Sequence, residues 1–357
     1  MTERFHTSSG PSAAQLPRGL VREIVRRWGY NATSYQILNP GFSFWIDTAA
    51  DAAVGYVACH GVRVVGGAPV CPDDQLANVL AAFERDAAAA GQGVIYFGAE
   101  RRIAEVAMAD SRRTTFPIGA QPVWSPAVLL REFSAHASLR AQLNRAQNKG
   151  VSTRLLSQVD AATARALNSC LNEWIASRGL PALHFLIETQ TLEALMDRRV
   201  IVAERAGALV GFVVLTPIPA RNGWLVEQMV RGRRAPNGTV ELLLQQAANL
   251  AAAAHADMIT LGLAPLARRG SPAVNRLPHW TRALLAVLRA HGRRFYNFEG
   301  LEAFKAKFGG SQWESVYASL APETSLARAL MAVTVAFSGE RIRAFIPHVV
   351  RHALAHP

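Results

Sequence analysis

Runs of β-rich apolar residues, punctuated by glycine and polar positions, mark short strands at SFWID (43–47) and across VGYVACHGVRVVGG (54–67). The same patterning returns in RVIVAERAGALVGFVVLTPI (199–218) and GWLVEQMV (223–230). Such runs read as strands because β-branched and aromatic side chains pack well on a pleated surface. The run at 199–218 reads as a hairpin turning at Ala206-Gly207. Each set of strands leads into a Pro-containing turn, a helix with apolar 3.6-residue spacing, and another short strand. Shifted by 164 positions, PDDQLANVLAAFERDAAAAGQGVIYFG (72–98) and PNGTVELLLQQAANLAAAAHADMITLG (236–262) align without a gap. Alanine-rich helices align easily by chance, so the weight rests on the joint match of turn, helix length and a strand closing on Gly98 or Gly262. An α/β (α+β) chain of two similar lobes is predicted.

The expected organisation is a disordered lead-in over 1–19, a first lobe over 20–120, a second over 121–322 and a basic amphipathic tail over 323–357. The lead-in lacks the apolar segment of a signal peptide. SRRTTFPIGAQPVW (111–124), with two prolines and no clear period, is the candidate boundary. Residues 126–196 read as helical, with one helix through 130–150 capped by Gly150. The tail, interrupted by Gly339 and Pro347, is expected either to lie on an anionic membrane or to pack on the second lobe.

Length and composition change this picture little. A chain of 357 residues, 50% hydrophobic, can bury a substantial core. Charge adds more: 38 Lys and Arg against 26 Asp and Glu leave +12, which favours an anionic partner, nucleic acid or membrane surface, although basic proteomes produce the same excess. Cys59, Cys71 and Cys170 have neither the number nor the spacing of a zinc site or disulfide framework, so a reduced cytoplasmic setting is expected. No run approaches the roughly 20 apolar residues of a membrane span, leaving a soluble protein or one peripheral at the inner face of the membrane. His184 and His279 follow proline turns without a second ligand at metal spacing, so neither metal nor cofactor is predicted. No G-x-S-x-G or P-loop occurs.

The most distinctive chemistry lies at EQMVRGRRAPNG (227–238). Arg231, Arg233 and Arg234 precede Pro236-Asn237-Gly238 at the mouth of a helix, where backbone N–H groups and the helix dipole favour phosphate. The matching turn of the first lobe carries Asp73 and Asp74 instead, so only the second lobe suits an anion. Glu227 sits on the strand directly ahead. Its alternative explanation is an ordinary surface-facing strand carboxylate. Trp280, Arg282, Arg289, Arg293, Arg294 and Phe295 add a late basic and aromatic cluster.

The order hairpin, strand, turn, helix, strand, helix, strand resembles that of the GNAT acyltransferase fold. YNFEGLEAFKAKFGGSQWESVYAS (296–319) resembles the C-terminal signature of the phosphatidylglycerol lysyltransferase family, also called the multiple peptide resistance factor family. LGLAPLA (261–267), EQMVRGRRAPNG and LNEWIASRGLP (171–181) are similar to further family segments in the same order. WGYNATSYQIL (28–38) and VVGGAPVCP (64–72) resemble its first lobe, so the likeness covers roughly 20–320. It implies two tandem GNAT-like lobes with aminoacyl-tRNA as donor. The acceptor it implies is the hydroxyl of phosphatidylglycerol, or by extension the hydroxyl or amine of another lipid or a small metabolite. The best-known members carry a large N-terminal membrane domain that is not found in this sequence.

Transfer from an already activated ester needs orientation, removal of the acceptor proton and stabilisation of an oxyanion. On the resemblance, Glu227 is the general base or holds the donor's α-amino group. Lys305, favoured over Lys307, contacts the tRNA 3′ end or stabilises the oxyanion; the i,i+4 spacing of Phe304 and Phe308 by itself predicts that they bury one helix face while both lysines point elsewhere. Arg231, Arg233, Arg234, Asn237 and Gly238 meet donor phosphate, and Tyr296, Asn297 and Glu299 bond the aminoacyl moiety. Two departures stand out: the family's Asp-Leu-Met-Arg reads Glu227-Gln228-Met229-Val230 here, and the Arg expected before Tyr317 is Val316. Both losses count against a lipid phosphate in the site. The alternatives are an acyl-CoA N-acyltransferase using the same turn, and a non-catalytic RNA- or membrane-binding protein.

Overall fold

The computed structural model describes residues 15–177, 185–187, 192, 195–267, 269 and 298–338. In the first half, α1 (Gln15–Trp28) and a 3-10 turn (Ser34–Leu38) precede the antiparallel strands β1 (Ser43–Asp47), β2 (Ala52–Cys59) and β3 (Val62–Gly66). Helix α2 (Leu76–Ala89) carries the chain to β4 (Gly93–Ala99), parallel to β3, and α3 (Arg101–Met108) to β5 (Thr114–Trp124). Helices α4 (Pro126–Ala135) and α5 (Ala137–Asn148), strand β6 (Val151–Leu155) and helix α6 (Ala161–Ala176) come next.

The second half then repeats the plan. Strands β7 (Arg199–Arg205), β8 (Ala208–Ile218) and β9 (Gly223–Arg231) are antiparallel. Helix α7 (Thr239–Ala253) leads to β10 (Met258–Thr260), parallel to β9. The short β11 (Ala264–Pro265), helix α8 (Phe298–Ala306), strand β12 (Gln312–Leu320) and helix α9 (Leu326–Ser338) complete the described chain. The repeat is not perfectly in step. Val62 pairs with Gly93, 31 residues on, but Gly223 with Met258, 35 residues on, because β9 runs on to Arg231 after it parts from β10 at Leu225.

All strands share one sheet in the order β1-β2-β3-β4-β12-β5-β10-β9-β8-β7-β6, with β11 on β5. β12, from the end of the chain, lies against β4, while β5, from the first half, lies against β10. Each half therefore completes the other's sheet. Thr114–Trp124, inside the segment expected to mark a boundary, is the central strand β5. Phe116 to Pro122 are all buried, and a strand covered on both faces shows no two-residue alternation. A bulge in β5, whose extra residue Ile118 lies between the partners of Val316 and Tyr317, accommodates Pro117, which cannot donate to the ladder.

Local chemistry explains the tight turns. His60-Gly61 and Ala206-Gly207 both adopt positive φ, the geometry that joins twisted antiparallel strands in two residues. The single helix expected over 130–150 is broken at His136, whose extended backbone separates α4 from α5, and residues 151–155 are an edge strand rather than helix. The front of the tail packs on the first half, not the second. Ala329 and Ala332 on α9 are fully buried in the core formed with Ile37, Val64 and Ile95, since small side chains let the helix approach the sheet closely. Residues 1–14 and 339–357 lie outside the described residues. Among the described residues no helix is long and apolar enough to cross a membrane.

Candidate active site

Val214 pairs with Gln228 and Leu215 with Val226, which leaves Glu227 as the extra residue of a β-bulge. A bulge interrupts alternation and re-aims one side chain. Glu227 is thereby turned onto Arg198, which immediately precedes β7. Arg198 Nε donates to Oε2 at 2.7 Å and Nη2 to Oε1 at 3.3 Å, and the Thr216 hydroxyl also donates to Oε2. The side chains of Arg198 and Glu227 are 0% and 4% exposed, so the pair is withdrawn from water. The Arg198 Nη2 group also donates to Asn39 Oδ1 at 2.9 Å. Asn39 follows the first half's 3-10 turn, so both halves build this cluster.

A second network runs beside it. The Tyr35 hydroxyl donates to Asp197 at 3.1 Å, and Arg22 on α1 grips the same carboxylate at 2.7 and 2.8 Å. The Arg22 hydrogen bonds hold the Asp197 carboxyl below the usual range, while burial and then the Asp197 charge push the Tyr35 phenol up. A cleft of about 860 Å³ opens here; Tyr35, Asp197 and Arg198 line it together with apolar Leu156, Leu195 and Trp224.

The two lysines of FKAKF occupy different surroundings. Lys305 on α8 is buried, and its Nζ donates to the carbonyl oxygens of Leu261, Gly262 and Leu263 at 2.8 Å each. Burial pulls its pKa down to about 7, whereas three carbonyl acceptors favour the charged form. With all three ammonium protons engaged, Lys305 fixes the loop leaving β10, just past the point where β9 and β10 part at Leu225 and Thr260. Lys307 reaches Glu241, in the first turn of α7, at 2.5 Å, and lies 4.2 Å from the Phe304 ring centroid.

At the arginine turn, Arg231 Nη2 donates to the Ala235 carbonyl at 3.0 Å and to Asn237 Oδ1 at 2.9 Å. Arg233, Arg234 and Asn237 are exposed. Gly238 has φ +94° and its α-carbon lies against α5, so that a Cβ there would overlap the Gln142 carbonyl oxygen. The end of α7 is thus covered by α5 and already holds Glu241. What the turn offers outward is its arginine side chains, not the helix N-terminus. In the first half, Asp73 of the acidic turn pairs with Arg102 at 2.5 Å.

Of the other expected site residues, Glu299 lies in α8, and Tyr296 and Asn297 lie outside the described residues. So do His184, His279 and the basic cluster from Trp280 to Phe295. Among the described residues no group of three or more His, Cys, Asp or Glu side chains could hold a metal ion. Arg198 and Asn39 were not among the expected residues. Arg198 stands at the mouth of a strand and Asn39 before a proline, and only the tertiary contact singles them out. Val230 and Val316 face cores, Val230 against Cys170 and Phe212 and Val316 against Phe116 and Ile118.

Two halves of hairpin, strand, helix and parallel strand, fused through exchanged strands, define a tandem fold of the GNAT acyltransferase type. The chain belongs to the phosphatidylglycerol lysyltransferase C-terminal family, whose model matches residues 22–319. A phosphatidylglycerol lysyltransferase of Bacillus subtilis (strain 168) is 22% identical over 338 residues, 92% of this chain; the chain spans 38% of that protein's length. The C-terminal domain of a putative lysylphosphatidylglycerol synthetase from Agrobacterium fabrum superposes with a TM-score of 0.75 at 22% identity, over 92% of this chain and 98% of that one. The structure of L-PGS from Bacillus licheniformis gives 0.75 at 20% identity, over 89% and 95%. At these identities the structural likeness is one of fold.

Proposed function

We propose that the protein moves an aminoacyl group from aminoacyl-tRNA to the hydroxyl of a membrane lipid of the phosphatidylglycerol type. The observation that carries this reading is the buried Glu227–Arg198–Asn39 cluster at the bulge of β9, beside a cleft with both polar and apolar walls, in a chain of this family. The acceptor oxygen attacks the ester carbonyl, forming the new C–O bond and a tetrahedral oxyanion. Collapse breaks the bond to the terminal ribose. The acceptor proton passes to Glu227 and on to the departing ribose oxygen, while Arg198 supplies the counter-charge that keeps a carboxylate in a dry site. Lys305 acts as a positioning residue through the loop it holds.

Two observations bear on the alternatives. Because Val230 and Val316 point into cores, the absence of arginine at these positions takes no charge out of the cleft. Covering of the α7 N-terminus by α5 removes the surface on which an acyl-CoA pyrophosphate would sit, which disfavours the acyl-CoA reading.

The test incubates purified protein with radiolabelled bulk aminoacyl-tRNA and phosphatidylglycerol vesicles, with a small-molecule extract and acetyl-CoA in parallel. Label should move from tRNA to lipid, and Glu227→Gln should cut the rate roughly 10²- to 10⁴-fold while tRNA affinity stays within a few-fold. Label that stays on every tRNA, or moves only to small molecules, overturns the lipid reading. Undiminished turnover in Glu227→Gln removes Glu227 from the chemistry.

A further inference from the structure

Helix α5, ASLRAQLNRAQN, contains no carboxylate. Arg145 and Lys149 are exposed and lie on the flank of the helix that also carries Gln142, as their spacing requires. Gly238 is packed against the Gln142 carbonyl, so the arginine turn abuts this same flank. The end of β7 joins them, since Arg205 Nε donates to the Lys149 carbonyl at 2.9 Å. Three elements distant in sequence thus place Arg145, Lys149, Arg205, Arg231, Arg233 and Arg234 along one edge of the second half.

All six are exposed, and among the described residues none forms an ion pair with a carboxylate. The neighbouring acid on β7, Glu204, is taken by Arg154, and Glu173 on α6 borders the edge beside Gly232. Arg205 and Arg231 are steadied by backbone carbonyls instead of being neutralised, so they keep their charge and lose less freedom on binding. Exposed amides at Asn144, Gln147 and Asn148 add neutral donors and acceptors. Among the described residues the large exposed apolar side chains are Leu20, Leu155, Met196 and Met331, and none belongs to α5 or either turn. A membrane-binding face pairs cations with inserted apolar side chains, which this edge lacks. Cations with amides and no apolar anchors suit a nucleic-acid backbone.

We infer that this edge is where the phosphates of a base-paired RNA stem dock, an inference that rests on the aminoacyl-tRNA reading above. A paired stem is recognised mostly by shape and by its phosphates and 2′-hydroxyls, so an array of fixed cations engages it without base contacts. The donor is held at this edge by its stem while its 3′ end is delivered elsewhere.

The experiment titrates fluorescein-labelled deacylated bulk tRNA into the full-length protein across a salt series, alongside co-sedimentation with phosphatidylglycerol vesicles. The variant is Arg145→Gln/Lys149→Gln/Arg205→Gln, three exposed side chains outside the Glu227 cluster. At about 0.7 to 0.9 per phosphate contact, the slope of log Kd against log salt should fall by about 2 to 3 for three lost contacts, with Kd raised roughly tenfold or more at low salt. Thermal stability and vesicle binding should match the wild type. An unchanged slope and Kd overturns the docking edge, as does loss of vesicle binding with tRNA binding intact, which marks a membrane face. Wild-type protein that binds no tRNA overturns it too. A wild type that binds tRNA through this edge yet transfers no label leaves the edge standing and sinks only the activity.

Discussion

Replacing Arg198 by Met should destabilise the fold far more than its single position implies, because of what it leaves behind. Arg198 is 0% and Glu227 4% exposed, and the guanidinium bonds the carboxylate through two nitrogens at 2.7 and 3.3 Å. In the variant, Glu227 keeps the Thr216 hydroxyl as a donor but loses its counter-charge in a place water does not reach. Breaking one side of such a pair costs about 3–5 kcal/mol, most of it the penalty of a stranded buried charge. Asn39 Oδ1 loses a donor as well, at about 1 kcal/mol. For a chain of this size the sum lowers Tm by on the order of 10 °C. Differential scanning calorimetry of the wild type, Arg198→Met, Glu227→Met and the double variant closes a thermodynamic cycle. The double variant, with both charges gone, should recover most of the loss, giving a coupling above about 2 kcal/mol. A cost below about 1 kcal/mol for Arg198→Met, or a double variant no more stable than that single one, refutes a closed pair and returns Glu227 to an ordinary strand position.

Arg221→Met tests the seam between halves. Arg221 bonds Glu314 at 2.6 and 2.8 Å and Glu100 at 3.1 Å, and burial already pushes the Glu100 carboxyl above its ordinary value. The loss should be about 3–5 kcal/mol at pH 7.5 and should shrink towards pH 5, because protonating a carboxyl whose folded pKa is raised relieves its burial; a small, pH-independent loss by thermal unfolding would count against this. Lys305 gives the opposite sign. Its pKa is about 7 in the fold against 10.5 ordinarily, so above pH 7 the unfolded chain holds more protons and stability rises with pH. Between pH 7 and 8.5, below the ordinary thiol value of 9.0 for Cys71 and Cys170, urea unfolding should show a gain of about 1.5 kcal/mol that Lys305→Met abolishes. A flat wild-type curve would show that the three carbonyls hold the ammonium fully charged.

The strands of both halves from β1 to β3 and from β7 to β9 were legible in the pattern, and so was the hairpin at Ala206-Gly207, whose residues tolerate the positive φ they adopt. The internal repeat was legible because turn, helix and parallel strand recur as one unit, β3-α2-β4 and β9-α7-β10. β5 was not, because Pro117 and Pro122 interrupt its apolar run and resemble loop punctuation. The expectation that the FKAKF lysines point away from the buried face fails for Lys305, which is buried, and not for the partly exposed Lys307. α8 lies between other elements, and Lys305 is drawn inward by three carbonyls that belong to the loop after β10. Glu227 was singled out by its place on the strand ahead of the turn, but the bulge that turns it onto Arg198 is a property of two strands together. Arg198 and Asn39 carry no local pattern at all.

The exchanged strands bear on why a repeat keeps two unequal copies. The Glu227 cluster is built on the second half's bulge, yet Asn39 and Tyr35, which hold Arg198 and Asp197, come from the first half. A second half folded alone would lack β5 against β10 and would leave part of the Arg198 guanidinium unsatisfied. The first half gains in return, because β12 closes β4 and α9 covers the sheet of β2 and β3. Each copy therefore buries surface that the other needs, and the acidic turn of the first half is free to pair internally, Asp73 with Arg102, instead of meeting a ligand. In this arrangement the first half is the wall and the anchor of a cluster whose buried carboxylate, Glu227, belongs to the second.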